Sequence, residues 1–364
     1  MSRYFYYITF INMITSMVAS MPKILLLAKE KGAIYSILLA IPIGLVFCFL
    51  IGRFFQTYPG KGLPELMKES IPKPITKPFL FVTGMVWFSA GLLSVITYSF
   101  FIKRFLSPNT SLIFIVSLIL LFIYYGALMK SKSVLYTIEI IFILTIPLIF
   151  LIMIKAFTNE DFEWDYVRVA IMHIQHVPQF STICAAAFVF WGPANLIIFN
   201  RVMTHKQSMT WKSILLIGLV GMGVLGSSFF GIIGMLGFEA VSHTVYPGMT
   251  TADTLHIKFG VIERVLFVNI ILFLSITFTS ILIHWHVAVE LLKQVIFIKK
   301  FKWKDHHLTP HLFLIIFWLV SIKVVTYLTE YQLVKYTSYF YNLFPFLFAV
   351  LFVIMWAIKR RVQP

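Results

Sequence analysis

Apolar residues in this chain gather into long runs, and polar or charged residues are confined to the short stretches between them. A helix needs about 20 mainly apolar residues to cross the hydrocarbon core of a bilayer. Runs of that kind occur ten times, over about 5–28, 33–56, 78–102, 111–129, 134–157, 183–203, 211–238, 262–292, 309–329 and 337–358. Backbone groups in lipid must be hydrogen-bonded within the segment, so each run is read as a helix. The expected class is an all-α integral membrane protein, with residues 1–364 forming one transmembrane domain. The eighth run is too long for one straight crossing and is expected to tilt or to project beyond the bilayer.

Two runs are punctuated. The first contains Pro22 and Lys23, preceded by the small or hydroxylated Thr15, Ser16, Ala19 and Ser20. The sixth carries Trp191-Gly192-Pro193-Ala194-Asn195 at mid-span, a composition that forms helix poorly. These runs lie five spans apart, the offset expected if ten spans form two five-helix repeats of inverted orientation. In transporters of that design, discontinuous helices at matched positions open backbone groups at the membrane midplane and hold the ligand there. A single proline in either run reads equally well as an ordinary kink; the matched pair favours a site. The expected ligand site takes Thr15 and Ser16 from the first span and Trp191 and Gly192 from the sixth. Val86 and Ala90 of the third span supply an apolar wall, and Thr279 and Ser280 of the eighth close the far side. Gly192, lacking a β-carbon, would let a ligand approach the backbone.

Other polar residues also fall inside apolar runs, where ionisable groups are costly and mark pathways or pairs. Lys23 can pair or snorkel to the outer interface. Glu139 sits one turn into the fifth span and reads as structural. Lys323, deeper in the ninth, is expected to have a specific partner or cavity. Asn195, Asn269 and Thr277 are further candidates. Glu263-Arg264 opens the eighth span as an interfacial ion pair or a functional one.

Composition narrows the class further. Of 364 residues, 60% are hydrophobic, 17% aromatic and only 12% charged, against about 25% charged in soluble domains. Mean hydropathy is +0.91. These values exclude an ordinary soluble enzyme, a disordered chain and a nucleic-acid-binding module. The net charge of +16 follows a topology: with the N-terminus in the cytoplasm, 19 of the 30 basic residues fall in cytoplasmic positions. The loop after the fifth span is acidic, with Glu160, Asp161, Glu163 and Asp165. The positive-inside rule therefore predicts that both termini are cytoplasmic. The loop 158–182 has helical periodicity at Trp164, Val167, Ile171 and Ile174 and is expected to lie at the outer interface. The loop 57–77 carries a short amphipathic turn at Leu63, Leu66 and Met67.

Catalytic and metal readings find no support. Cys48 and Cys184 lie in apolar runs and read as structural thiols. His284-Trp285-His286 has a spacing that splits its two imidazoles across a helix. His306-His307 is expected in a solvated loop. There is no HExxH, P-loop or GxSxG pattern, so no enzyme activity, cofactor or metal is expected.

The chain resembles the spore germination permease family, the B-type membrane subunits of nutrient germinant receptors, within the amino acid–polyamine–organocation superfamily. The resemblance rests on Met21-Pro22-Lys23 ending the first helix and on Phe190-Trp191-Gly192 with the exit to Arg201. It continues through Tyr246-Pro247 and Ile262-Glu263-Arg264 to Tyr339 and the tail Lys359-Arg360-Arg361. Thr15-Ser16-Met17 stand where the family is usually glycine-rich. Leu266 replaces a common second acidic residue, and Tyr136 replaces a common arginine. The resemblance implies the five-plus-five permease fold and a receptor subunit that senses a small, amino acid-like nutrient and triggers germination. It also implies an A-type membrane subunit and a C-type lipoprotein as partners, and the inner membrane of the spore. A stand-alone amino acid transporter coupled to H⁺ or Na⁺ is the alternative. A third possibility is a structural partner whose pocket is filled by Met17 and Trp191.

Overall fold

The computed structural model describes residues 2–205, 208–255, 264–298, 301–303 and 306–362. Among them, eight helices are long and apolar enough to cross a membrane, and a bent pair makes a ninth. With the shorter apolar helix Leu112–Ala127 they account for all ten expected runs. The architecture is that of an all-α, multi-span membrane permease.

The first span is α1 (Arg3–Val18) followed by α2 (Met21–Leu27), bent by 52° at Ala19-Ser20. Pro22 sits in the first turn of α2, where its missing N–H would have no helical partner anyway. α3 (Ala33–Thr57) is the second span, and α4 (Leu63–Ser70) is the amphipathic turn expected in the following loop. α5 (Lys73–Phe101), α6 (Leu112–Ala127) and α7 (Ser131–Phe157) are spans three to five. α8 (Trp164–Met172) forms within the loop 158–182, with Trp164, Ile171 and Met172 exposed.

The sixth span is α9 (Phe180–Phe188), a 3₁₀ stretch Val189–Asn195 and α10 (Leu196–Phe199). It is interrupted, but by overwinding rather than by an extended break, so only the first span turns a corner. Pro193 removes one backbone donor, and the tighter i→i+3 pattern absorbs that loss. α11 (Trp211–Gly226) and α12 (Ile232–Leu236), joined through a π turn at Ser227–Gly231, make the seventh span. α13 (Pro247–Thr254) is a short connector. α14 (Val265–Val295) is the eighth span. At 1.5 Å per residue it extends roughly 46 Å, well past a core of about 30 Å. The strands β1 (Lys302–Trp303) and β2 (His306–His307) form a minimal hairpin before α15 (Thr309–Tyr327). α16 (Glu330–Asn342) and α17 (Phe344–Val362) form the tenth. Glu263, and with it the expected Glu263-Arg264 pair, lies outside the described residues.

Four of the five span pairs that the expected repeat relates pack together, while the fifth span packs on the first and the eighth. The first span packs on the sixth, the second on the seventh, the third on the eighth and the fourth on the ninth. An offset of five, being odd, reverses the direction of every crossing, so equivalent helices of the two halves meet antiparallel. The sixth span is central, with 83% of its apolar window buried. The fifth, with 11%, lies at the rim.

The ends of the helices divide into two faces. On one, Arg3 pairs with Glu139, and Asn200 donates to the Tyr58 and Lys61 carbonyls. Arg361 reaches the Ser70 carbonyl on the same face. This face gathers both termini and the basic loops. On the opposite face Lys29 bonds the Phe238 carbonyl, and Arg104 pairs with Glu330.

Candidate functional site

The crossing of spans one and six fixes the centre of the molecule. A β-carbon at Gly192 would stand 2.6 Å from Thr9 Cα and 2.7 Å from the Ile8 carbonyl oxygen. The space expected to admit a ligand at Gly192 is therefore filled by the backbone of α1. The glycine is required because two helices touch there. Asn12 of α1 donates to the carbonyls of Phe188 (3.0 Å) and Val189 (3.1 Å). Four residues after Val189 stands Pro193, which has no N–H to give its carbonyl, and Asn12 supplies a donor there. Asn195 donates back to the Gly192 carbonyl at 2.9 Å and accepts from the Trp87 indole at 2.7 Å. The mid-span asparagine is thus committed to holding the interruption.

Four of the eight expected site residues, Thr15, Ser16, Ala90 and Ser280, line one small cavity between the first, third, sixth, eighth and tenth spans. Its free volume of about 30 Å³ matches one water molecule. Val86, one turn from Ala90 on α5, is not among the lining residues. Trp191 stacks on Phe47 at 4.8 Å and meets Phe344 edge-on at 4.3 Å, so it belongs to an aromatic cluster beside the cavity. Thr279 is fully buried and its hydroxyl donates to the Ser275 carbonyl. Met17 borders two other cavities and does not fill this one.

Polar contacts tie the spans together above and below the cavity. Toward the opposite face a second cavity of about 20 Å³ shares Ala19 and Thr97 with it and is roofed by Lys23, Tyr246 and Pro247. Lys23 is held there by a 2.7 Å bond to the Ser242 carbonyl. Toward the basic face Arg201, where the sixth span ends, bonds Glu65 of α4 at 3.0 Å and Glu290 of α14 at 2.6 Å. Lys293 also pairs with Glu290.

Some polar residues have other partners than expected. Glu139 accepts from Tyr4 and pairs with Arg3, in a structural role. Lys323 is exposed on α15 with its amine 5.4 Å from the Tyr327 ring. It lies one turn from the helix end, within reach of that end for a long side chain, and it has no buried partner among the described residues. Asn269 lines a separate apolar cavity with Met249 and Met153.

Sequence reasoning missed Asn12, Ser94, Thr97, His284, Thr337 and Tyr341 in the central lining. His284 and His286 do point to different neighbours: His286 contacts Ser131 and the Ala127 carbonyl, while His284 faces the cavity lining. The i,i+4 relation of His284 to Ser280 was the available signal. Among the described residues no three His, Cys, Asp or Glu side chains converge as metal ligands would.

A family model for Spore_permease, described as spore germination protein, matches residues 2–329. The final helix and basic tail lie outside the match. No curated protein matches the chain.

Proposed function

The chain belongs to the spore germination permease family, and from that premise we propose that it is the B-type membrane subunit of a nutrient germinant receptor. It is a germination-related integral membrane protein of a permease family rather than an enzyme family. On this reading it senses a small, amino acid-like nutrient in the central cavity and passes the signal to an A-type membrane subunit and a C-type lipoprotein. It sits in the inner membrane of the spore, with the basic face and both termini toward the core. The concentration of basic loops on one face supports this orientation.

One observation carries the reading: a small cavity at the crossing of the bent first span and the interrupted sixth, lined by Thr15, Ser16, Ala90 and Ser280 and without charged side chains among its described residues. At about 30 Å³ the cavity takes one small group, so a whole nutrient would favour a wider state of the same site. The test is deletion of the gene in the spore-forming host. Loss of germination to a nutrient, restored by the gene, together with reduced A-subunit abundance, is the expected result. Unaltered germination, with amino acid uptake by vesicles of the purified chain, would replace the receptor with the lone transporter.

A further inference from the structure

The hydrogen-bonding sense of the central cavity is fixed by its own helices. The hydroxyls of Thr15, Ser16, Ser94, Thr97 and Thr337 each donate to the carbonyl four residues earlier, at 2.7 to 3.0 Å. Their protons are spent, and only oxygen lone pairs remain to meet a ligand. The carboxamide of Asn12 also spends its hydrogens, on Phe188 and Val189.

His284 sharpens this bias. Its Nδ1 lies 2.6 Å from the Ser280 carbonyl oxygen. A carbonyl only accepts, so Nδ1 carries the proton and Nε2 is left as a bare acceptor. The residue is 4% exposed, and Nε2 has no partner. A buried polar atom with no partner costs stability unless something supplies a donor. The remaining lining hydroxyls, Ser280 and Tyr341, can rotate to donate or accept. No charged side chain is among the described lining residues, so charge favours neither ion, and a carboxylate is disfavoured because it finds no cluster of free donors here.

We infer that the central cavity is a subsite for a hydrogen-bond-donating cationic head group, a primary ammonium, with His284 Nε2 and the back-bonded hydroxyl oxygens as its acceptors. This rests on the cavity being the nutrient site, and it adds that the site reads the amine of the nutrient and not its carboxylate. A cavity with room for one water-sized group suits –NH₃⁺, whose three N–H donors match a wall of acceptors. His284 is then a binding residue for the nutrient.

The test uses the purified full-length chain in lipid nanodiscs, with thermal unfolding followed as methylammonium chloride is added at constant ionic strength. The expected result is a saturable rise in the unfolding midpoint. Tetramethylammonium, which has no N–H, potassium and acetate should leave it unchanged. His284→Phe should weaken methylammonium at least about tenfold, and His284→Gln, which restores an acceptor, should stay within about threefold of the wild type. Ser16→Ala removes one acceptor with little change of volume and should cost about fivefold, which keeps the test intact if His284→Phe fails to fold. The inference is overturned if methylammonium gives no saturable shift, or if tetramethylammonium, potassium or acetate matches it. It is also overturned if folded His284→Phe, or Ser16→Ala where His284→Phe fails to fold, binds like the wild type. Binding here without any germination phenotype on deletion would overturn the receptor reading alone. A germination phenotype without saturable methylammonium binding would overturn this inference alone.

Discussion

The indole N–H of Trp87 donates to the carboxamide oxygen of Asn195 at 2.7 Å, tying the third span to the interruption in the sixth. Asn195 is 1% exposed, so loss of the indole strands a buried acceptor. Trp87→Phe keeps an aromatic ring at the position, removes the donor and gives up part of the buried ring volume. It should lower stability by about 1–3 kcal/mol, read as a fall in the unfolding midpoint in nanodiscs. An unchanged midpoint would show that water replaces the indole.

Gly192 tests the close approach of the first and sixth spans. Gly192→Ala puts a β-carbon against backbone atoms of Thr9 and Ile8 at under 3 Å, and backbone cannot rotate away. Overpacking of this kind costs about 1–3 kcal/mol. The variant should accumulate poorly in membranes. At Gly223 and Gly226 nothing lies within 4 Å of an added β-carbon, and alanine there should be tolerated. Equal expression of all three variants would contradict the crossing described above.

Arg201 ties α4 and α14 to the end of the sixth span on the basic face. Its side chain is 20% exposed and that of Glu290 15%, so the pair is only partly screened. Arg201→Met leaves Glu290 with Lys293 and frees Glu65, at an expected cost of about 1–3 kcal/mol after allowance for partial exposure. A double-mutant cycle with Glu290→Gln should give a coupling energy of about 1 kcal/mol or more. Simple additivity would mean that the two groups do not interact in solution.

The two intramembrane lysines should behave oppositely. Lys23→Met removes a donor from the half-buried Ser242 carbonyl and should destabilise by about 1 kcal/mol. Lys323→Met changes an exposed rim position and should stay within about 0.5 kcal/mol of the wild type. Midpoints measured side by side decide this.

Much of the fold was legible because hydropathy and span length report directly on the lipid solvent. The run 33–56 became Ala33–Thr57, and 309–329 became Thr309–Tyr327. The bend at Pro22 followed from small residues before a proline, and the amphipathic turn in the loop 57–77 became Leu63–Ser70. The tenth span was harder. Its helix begins at Glu330, in a polar segment capped by Thr329, and stops at Leu343 just before Pro345. An apolar run cannot reveal a polar first turn. The site was half legible. Helical position told which residues are buried, and Thr15, Ser16, Ala90 and Ser280 do meet. It could not tell whether the neighbour of Gly192 is a ligand or another helix. Nor could it show that Lys323 turns outward, because one turn of helix separates a buried position from a lipid-facing one.

The central claim is that the cavity beside Ala90 is where the nutrient is sensed. Ala90 is 8% exposed and lines that cavity, so Ala90→Leu places a larger side chain in a space of about 30 Å³. Val86→Leu, one turn away and outside the lining, serves as the control. The decisive measurement is the dose–response of spore germination to a nutrient that triggers wild-type spores, with each variant at matched protein level. The account predicts that Ala90→Leu raises the half-maximal concentration at least about tenfold, as steric exclusion worth 1.4 kcal/mol or more would, while Val86→Leu stays at the wild-type value. Ala90→Leu spores that keep the wild-type half-maximal concentration would contradict it.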